Sequence, residues 1–371
     1  MQKVDHIVIG AGAMGLATAW QLASQGREVL VLEQFDLNHK LGSSHGETRI
    51  FRVSYRDPLY TNLALESIDY WRKLEAETNS VLLEQIGQID HGEEEALTDV
   101  EAALKRHGLK SESLTPVQAK EKWPGMEFQN RVVFSPDGGR SNAARTQENL
   151  VKRILELGGQ IKANTKVESI KVDGEFAIVA TGEGDFKTKS LVVAAGGWIK
   201  KLVGDFIKLP QITIDAGQPA HYLPTKELNF QEKWPSFIHH GGQKRVETNL
   251  AFSAYGLFTP GEGMKVGTWA NTPPIDPDNR DLSPNELLLA NQNKYVQEWL
   301  PGLQIDTAKT INCIFTNTPD EHFVLDRIGP VTICSPCSGH GYKFVPMIGK
   351  ITAGLAMGGS QKISQWKLPG N

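Results

Sequence analysis

The stretch Val4-Asp5-His6-Ile7-Val8-Ile9-Gly10-Ala11-Gly12-Ala13-Met14-Gly15 decides how the rest of the chain is read. Its first half is a short apolar run, the pattern of a buried strand. Leu16, Ala19, Trp20 and Ala23 then recur at helical spacing. Gly26 stands where a helix C-terminus favours a residue of positive φ. Val29-Leu30-Val31-Leu32 reads as a second strand and runs into Glu33. Strand, glycine turn, helix, strand and acid make the βαβ nucleotide-binding unit.

Each residue of that unit has a physical task. Gly10 permits the tight turn, Gly12 lets backbone approach a pyrophosphate, and Gly15 lets helix and strand pack closely. The helix start, which includes Ala13 and Met14, turns N–H groups and a positive dipole end toward phosphate. Glu33, 23 positions after Gly10, can accept from a ribose 2′-OH and argues against a 2′-phosphate. The apolar stretch over 7–19 with Ala17-Thr18-Ala19 has some look of a secretory leader. Its single lysine, its glycine spacing and its unbroken continuation favour the βαβ reading.

Composition narrows the rest. The 371 residues, about two domains' worth, are 40% apolar and 22% charged, enough for a packed core. A net charge of −4, from 43 acids and 39 bases, lacks the basic surface that nucleic acid demands. Three cysteines make no disulfide framework and fit a reducing, cytoplasmic setting. The apolar runs over 7–19 and 191–199 are too short and glycine-broken to span a membrane. Helices are expected near 60–76, 97–107, 143–157, 284–299 and 347–357. Strands are expected near 160–163, 168–172, 191–195, 308–315 and 330–334. Aromatics, prolines and short β-like runs over 210–275 point to a second, mostly antiparallel domain. Glu93-Glu94-Glu95 reads as a solvated helix face. Cys334 and Cys337 have CxxC spacing, but with no second pair to complete a zinc site they read as small buried side chains, and no metal is expected.

Four further stretches carry a resemblance. They are Gly42-Ser43-Ser44-His45-Gly46-Glu47-Thr48-Arg49-Ile50-Phe51-Arg52, Ala194-Ala195-Gly196-Gly197-Trp198, Cys313-Ile314-Phe315-Thr316-Asn317-Thr318-Pro319-Asp320-Glu321-His322-Phe323 and Ser338-Gly339-His340-Gly341-Tyr342-Lys343-Phe344. In order and spacing the chain resembles the monomeric sarcosine oxidase and N-methyltryptophan oxidase family of flavoproteins. The resemblance implies an α/β chain with a Rossmann-like FAD-binding domain built from 1–85, 143–210 and 313–371. An inserted α+β substrate domain would come from 86–142 and 211–312. It implies FAD held by Gly10, Gly12, Ala13, Met14, Gly15, Glu33, Ser43, Thr48, Arg49, Val167, Gly196, Gly339, Gly341 and Lys343, and joined covalently through Cys313. From the residues alone, Cys313 reads as closing a strand with Thr310-Ile311-Asn312.

The resemblance also assigns the chemistry. Arg52 and Lys343 would clamp a substrate carboxylate, while Arg49 sits against the flavin. Three apart, Arg49 and Arg52 would share a face if that segment were helical. Lys265, in the strand-like Gly263-Met264-Lys265-Val266-Gly267, matches the family's oxygen-activating lysine. A fixed cation there stabilises negative charge as electrons reach O₂. The implied reaction takes a hydride equivalent from the carbon next to nitrogen of an N-alkyl amino acid. The imine hydrolyses, and O₂ becomes H₂O₂. No nucleic-acid or membrane partner is implied, and the chain is expected to be a monomer.

Two positions depart from the sarcosine-type pattern. Trp269 stands where a histidine is usual and Phe315 where a tyrosine is usual. Both make the substrate pocket more apolar, which is compatible with drift or with a bulkier amine. Other readings are an oxidase of sugar-modified (fructosyl) amino acids, an NAD-linked dehydrogenase, and a dinucleotide-binding module without turnover. Arg52, Lys265, Cys313 and Lys343 argue against the last, because binding alone needs none of the final three.

Overall fold

The computed structural model describes residues 1–228, 234–241, 253–268 and 272–371. Trp269 lies outside them. The quoted N-terminal stretch forms the strand His6–Ile9, a turn and the helix Ala13–Ala23, followed by the strand Val29–Leu32. Gly10 holds φ +100° in that turn, a conformation costly for any residue with a Cβ. These strands are central in a six-stranded sheet of order Gln160–Lys162, Val29–Leu32, His6–Ile9, Ser190–Val193, Val331–Ser335, Val324–Ile328. All neighbours are parallel except the last pair. Strands covered on both faces are near-continuous apolar runs, and His6–Ile9, Val29–Leu32 and Ser190–Val193 are buried throughout with only His6 and Ser190 polar.

One face of this sheet carries the helix Ala13–Ala23, packed on Val345–Ala356 and Ala143–Glu156. The first of these contacts is very close: a Cβ at Gly349 would lie 2.5 Å from Ala17 O. Ala17, Thr18 and Ala19 are buried inside this packed helix. On the other face Ile7, Leu30 and Leu191 share a core with Ile170, Val179 and Phe186 of a four-stranded sheet.

An eight-stranded sheet has the order Leu303–Thr310, Ala220–Pro224, Gly263–Thr268, Ala254–Thr259, Ser236–His240, Gln88–Gly92, Val132–Ser135, Glu112–Leu114. It is antiparallel except where Ser236–His240 runs parallel to Gln88–Gly92. Its core holds Tyr222, Phe237, Met264, Tyr295 and Trp299. Two small ladders connect the large sheets. Thr48–Phe51 pairs with Gly139–Asn142, and Thr213–Gly217 pairs with Cys313–Asn317.

Those ladders decide one open reading and correct one expectation. Arg49 lies on a strand and Arg52 just beyond it, so no helical face joins them. Pairing with residues some 90 positions away overrides what the local pattern allows. Cys313 opens a strand instead of closing one, because the expected 308–315 run breaks at Ile311 and Asn312.

Candidate active site

Two abutting cavities lie along the carboxyl ends of the parallel strands and the edge of the large sheet. The first, about 250 Å³, is lined by Gly10, Gly12, Met14, Glu33, Ser43, Val167 and Gly196, among others. The second, about 190 Å³, is lined by Ala13, Met14, Thr48, Arg49, Arg52, Lys265, Cys313, Phe315, Gly339, Gly341 and Lys343. Met14, Ser43, Ser44, His45, Pro336 and Cys337 border both, so the two form one crevice. Gly15 lies beneath it: a Cβ there would come 1.9 Å from Gly10 O, so only glycine lets the helix approach the turn.

The first cavity suits the nucleotide end of a dinucleotide. Gly12 caps the helix without a side chain, and Ala13 N–H donates to Ser44 Oγ at 3.1 Å. Glu33 is buried; its two oxygens accept from Ala11 N–H at 2.7 Å and Phe35 N–H at 3.0 Å. Each oxygen keeps a lone pair for a ribose hydroxyl. Where the crevice continues, His45 Nε2 and Thr316 Oγ1 are buried without a partner. Burying a polar atom unpaired is costly, so these orphans fit a polar ring system that FAD would bring. Burial and then the charge of Arg49 pull the His45 pKa down to about 4, leaving a neutral imidazole.

Arg49 is anchored by its own loop: Nη1 donates to Thr48 O at 2.8 Å, and Nη2 to Ser43 O at 2.8 Å and His45 O at 2.5 Å. Lys265 Nζ donates to Thr48 O at 2.8 Å. The lysine is 4% exposed, and burial followed by the Arg49 charge pulls its pKa down to about 7. At the far end Arg52 stacks its Cζ 4.3 Å from the centre of the Tyr55 ring, with Lys343 Nζ 5.5 Å from the same ring. Lys343 Nζ donates to His340 O at 2.5 Å. Burial and the neighbouring Arg52 charge hold the Lys343 ammonium well below the ordinary lysine range. Two basic groups beside one aromatic ring, with burial opposing the lysine's charge, favour an anion bound next to them.

Phe315 projects beside Gly217, where a Cβ would meet the ring at 2.2 Å. The glycine thus makes room for the aromatic side chain. Cys313 is a free thiol, 7% exposed; the buried Cys334 and the half-buried Cys337 are also free. Burial pushes the Cys334 thiol up to about 12 and the Cys337 thiol to about 11, so neither is a thiolate at neutral pH. Among the described residues no group of His, Cys, Asp or Glu could hold a metal, and no helix is long and apolar enough to cross a membrane.

Several lining residues were not singled out from sequence: His45, Ile238, Tyr255, Leu257 and His340. His45 and His340 stood inside motifs already quoted, yet nothing local assigned them a task. Tyr255 and Leu257 alternate on one strand whose face is fixed only by its neighbours.

Residues 5–355 match the sequence model described as FAD dependent oxidoreductase. The monomeric sarcosine oxidase of Bacillus sp. (strain NS-129) is 30% identical, over 96% of this chain and 93% of that protein. The peroxisomal sarcosine oxidase of Homo sapiens is 32% identical, over 95% of this chain and 92% of that protein. Among solved structures, that of NikD, an unusual amino acid oxidase essential for nikkomycin biosynthesis, superposes with a TM-score of 0.88. It covers 99% of this chain and 98% of that one at 23% identity. The chain belongs to the FAD-dependent oxidoreductase family and is a flavin-dependent oxidoreductase of the sarcosine oxidase type.

Proposed function

We propose that this protein oxidises N-alkyl amino acids, converting R–NH–CH₃, H₂O and O₂ into R–NH₂, formaldehyde and H₂O₂. The observation that carries the reading is the half-buried Arg52 and the buried Lys343 facing one cavity. A substrate carboxylate is the anion that relieves them, and an arginine fork fixes its orientation as well as its charge. Ile50, Ile238, Leu257, Ile311, Ile314 and Phe315 give the same cavity an apolar wall that keeps water from the amine. The flavin supplies the redox chemistry, taking the hydride equivalent from substrate and passing electrons to O₂. Arg49 is held rigid by three carbonyls, and Lys265 presents a positive charge where negative charge builds. Cys313, on the cavity wall, is the site of covalent attachment in this reading. The parallel-sheet segments then form the cofactor domain, and the eight-stranded sheet forms the substrate domain.

The finer substrate follows from the wall. Phe315, together with Trp269 from the sequence, favours an N-methyl amino acid more apolar than sarcosine. A hydrophobic site gains about 1–3 kcal/mol per fitted methylene, so the preference in kcat/KM is at least roughly tenfold. The test is an oxygen-electrode and peroxide screen of the yellow holoenzyme over N-alkyl amino acids, with anaerobic bleaching as the oxygen-independent readout. A protein that bleaches with none of them is not this oxidase. One that turns over sarcosine best keeps the reaction class and loses the apolar preference.

Lys265→Met separates the half-reactions. Anaerobic flavin reduction changes little while reoxidation by O₂ slows by about 10²-fold or more, since only the second step builds charge beside the lysine. Equal losses in stopped-flow traces of both halves would move Lys265 to substrate binding.

A further inference from the structure

Lys265 has a continuous path of side chains behind it. On the large sheet His221 pairs directly across from Lys265 on one side and Leu257 on the other. Thr259, two positions beyond Leu257, shares their face by strand alternation. Lys265 Nζ lies 3.4 Å from Thr48 Oγ1, which is 2.7 Å from Thr259 Oγ1. Thr259 Oγ1 is 3.3 Å from His221 Nε2, and the same nitrogen is 3.2 Å from Glu262 Oε2. Thr48, Thr259 and His221 are buried, whereas the Glu262 side chain is 44% exposed. The inner end opens on the second cavity through Thr48 and Lys265, and the outer end meets solvent.

The proposed reaction needs such a path. Reducing O₂ to H₂O₂ takes two electrons and two protons. Both electrons and one proton come from the hydride equivalent already taken from substrate. The other leaves on nitrogen with the iminium product and is released to solvent when that hydrolyses, so an equivalent proton has to return across a wall that keeps water out. We propose that Glu262, His221, Thr259 and Thr48 conduct protons from solvent to Lys265, restoring the one its ammonium gives to reduced oxygen. The inference rests on the oxidase reading above.

The steps balance. Lys265 ammonium donates a proton and becomes an amine. The amine takes the hydroxyl hydrogen of Thr48, which takes that of Thr259. Thr259 is replenished from His221 Nε2, which draws on Glu262 and bulk water. With its resident hydrogen on Nδ1, the imidazole accepts at Nε2 from Glu262 and delivers from the same atom to Thr259, with no ring flip. The charged groups around His221 are Lys265, Arg49 and Lys309 on neighbouring strands and Glu262 in the turn. Burial and then those three cations pull its pKa down to about 3, so it passes a proton without retaining one. Lys265, drawn down to about 7, gives up and regains its proton near neutral pH. Paired threonine hydroxyls alone would be ordinary sheet packing. Their continuation to an exposed carboxylate at one end and a buried amine at the other is what packing does not require.

The test cuts the chain with a near-isosteric change. In substrate-reduced holoenzyme, Thr259→Val slows reoxidation by O₂ about tenfold and raises its solvent deuterium isotope effect, while anaerobic reduction stays within about twofold of wild type. Thr259→Ser keeps the hydroxyl and restores both. A readout independent of turnover is the solvent exchange of Lys265 ammonium hydrogens, followed by NMR in ¹⁵N-lysine-labelled protein and assigned by the signal lost in Lys265→Met. Exchange slows in Thr259→Val and returns in Thr259→Ser. If Thr259→Val does not fold, His221→Gln cuts the chain one link outward and carries the same expectations. Wild-type reoxidation and exchange in the cut variants overturn the relay. Equal loss of both half-reactions in Lys265→Met overturns instead the placement of oxygen at the lysine, while the exchange measurement still decides the chain.

Discussion

Arg52 and Lys343 stand 291 positions apart in sequence yet flank one aromatic ring, Tyr55. Neither is an ordinary surface cation, because burial holds Lys343 well below the lysine range. Arg52→Gln or Lys343→Met therefore weakens binding of substrate and carboxylate inhibitors by roughly 30-fold or more. Truncating one partner of a buried charge pair costs on the order of 2–5 kcal/mol. Spectral titration with an inhibitor checks this, and an amide analogue that binds the wild type as well as its acid would remove the clamp. Cys313 allows a sharper check. Its thiol lines the second cavity, whereas Cys334 lines only the first. Acid-precipitated wild type should stay yellow and Cys313→Ala should release its flavin, with mass mapping placing the adduct. Colour that washes off the wild type, or maps to Cys334 or Cys337, counts against the assignment. All three residues were legible in sequence, since long motifs named them. Tyr55, which brings the two cations together, was not, because its role exists only once the segments that carry them meet.

The helix Ala13–Ala23 shows what an element requires of single residues. Gly15 and Gly349 give it two close approaches, to Gly10 O and from the Val345–Ala356 helix. Gly15→Ala places a Cβ 1.9 Å from a backbone oxygen that cannot move aside without opening the turn. We expect destabilisation by about 1–3 kcal/mol, as for overpacked cores, together with poor FAD retention. A variant with wild-type melting temperature and flavin content would refute the packing role. The turn glycines could be read from spacing because a βαβ unit closes within some 30 residues. Gly349 could not, since its partner lies more than 300 positions away. The same limit explains why the conformation at Arg49 and Arg52 stayed open in the sequence. Arg-Ile-Phe-Arg has no decisive local period, and Gly139–Asn142 supplies the hydrogen bonds that make Thr48–Phe51 a strand.

Across the whole molecule the buried lysines link stability to pH. Lys265 has a folded pKa near 7 against 10.5 unfolded. Between those values the unfolded chain holds a proton that the folded chain lacks, so stability rises with pH across that window and is flat above it. Below about pH 7 the folded state bears the full cost of a buried cation, of several kcal/mol before any anion binds. In cofactor-free protein, Lys265→Met should raise the melting temperature at neutral pH and flatten its rise from pH 7 to 10. An unchanged profile would mean that the ammonium is solvated when folded.

The amino-acid order by itself determined the nucleotide-binding unit, the helices with strong periodicity and the identity of most chemical side chains. Each of those follows from contacts within a few tens of residues or from residue type alone. Tertiary structure decided what depends on distant segments meeting. It joined two cavities into one crevice, set Arg49 on a strand and Cys313 at a strand's start, and left His45 Nε2 without a partner. It also aligned Glu262, His221, Thr259 and Thr48 behind Lys265. Distant strands pairing, His221 with Lys265 and Thr48 with Asn142, brought those side chains together, and no contact within a few tens of residues could do so.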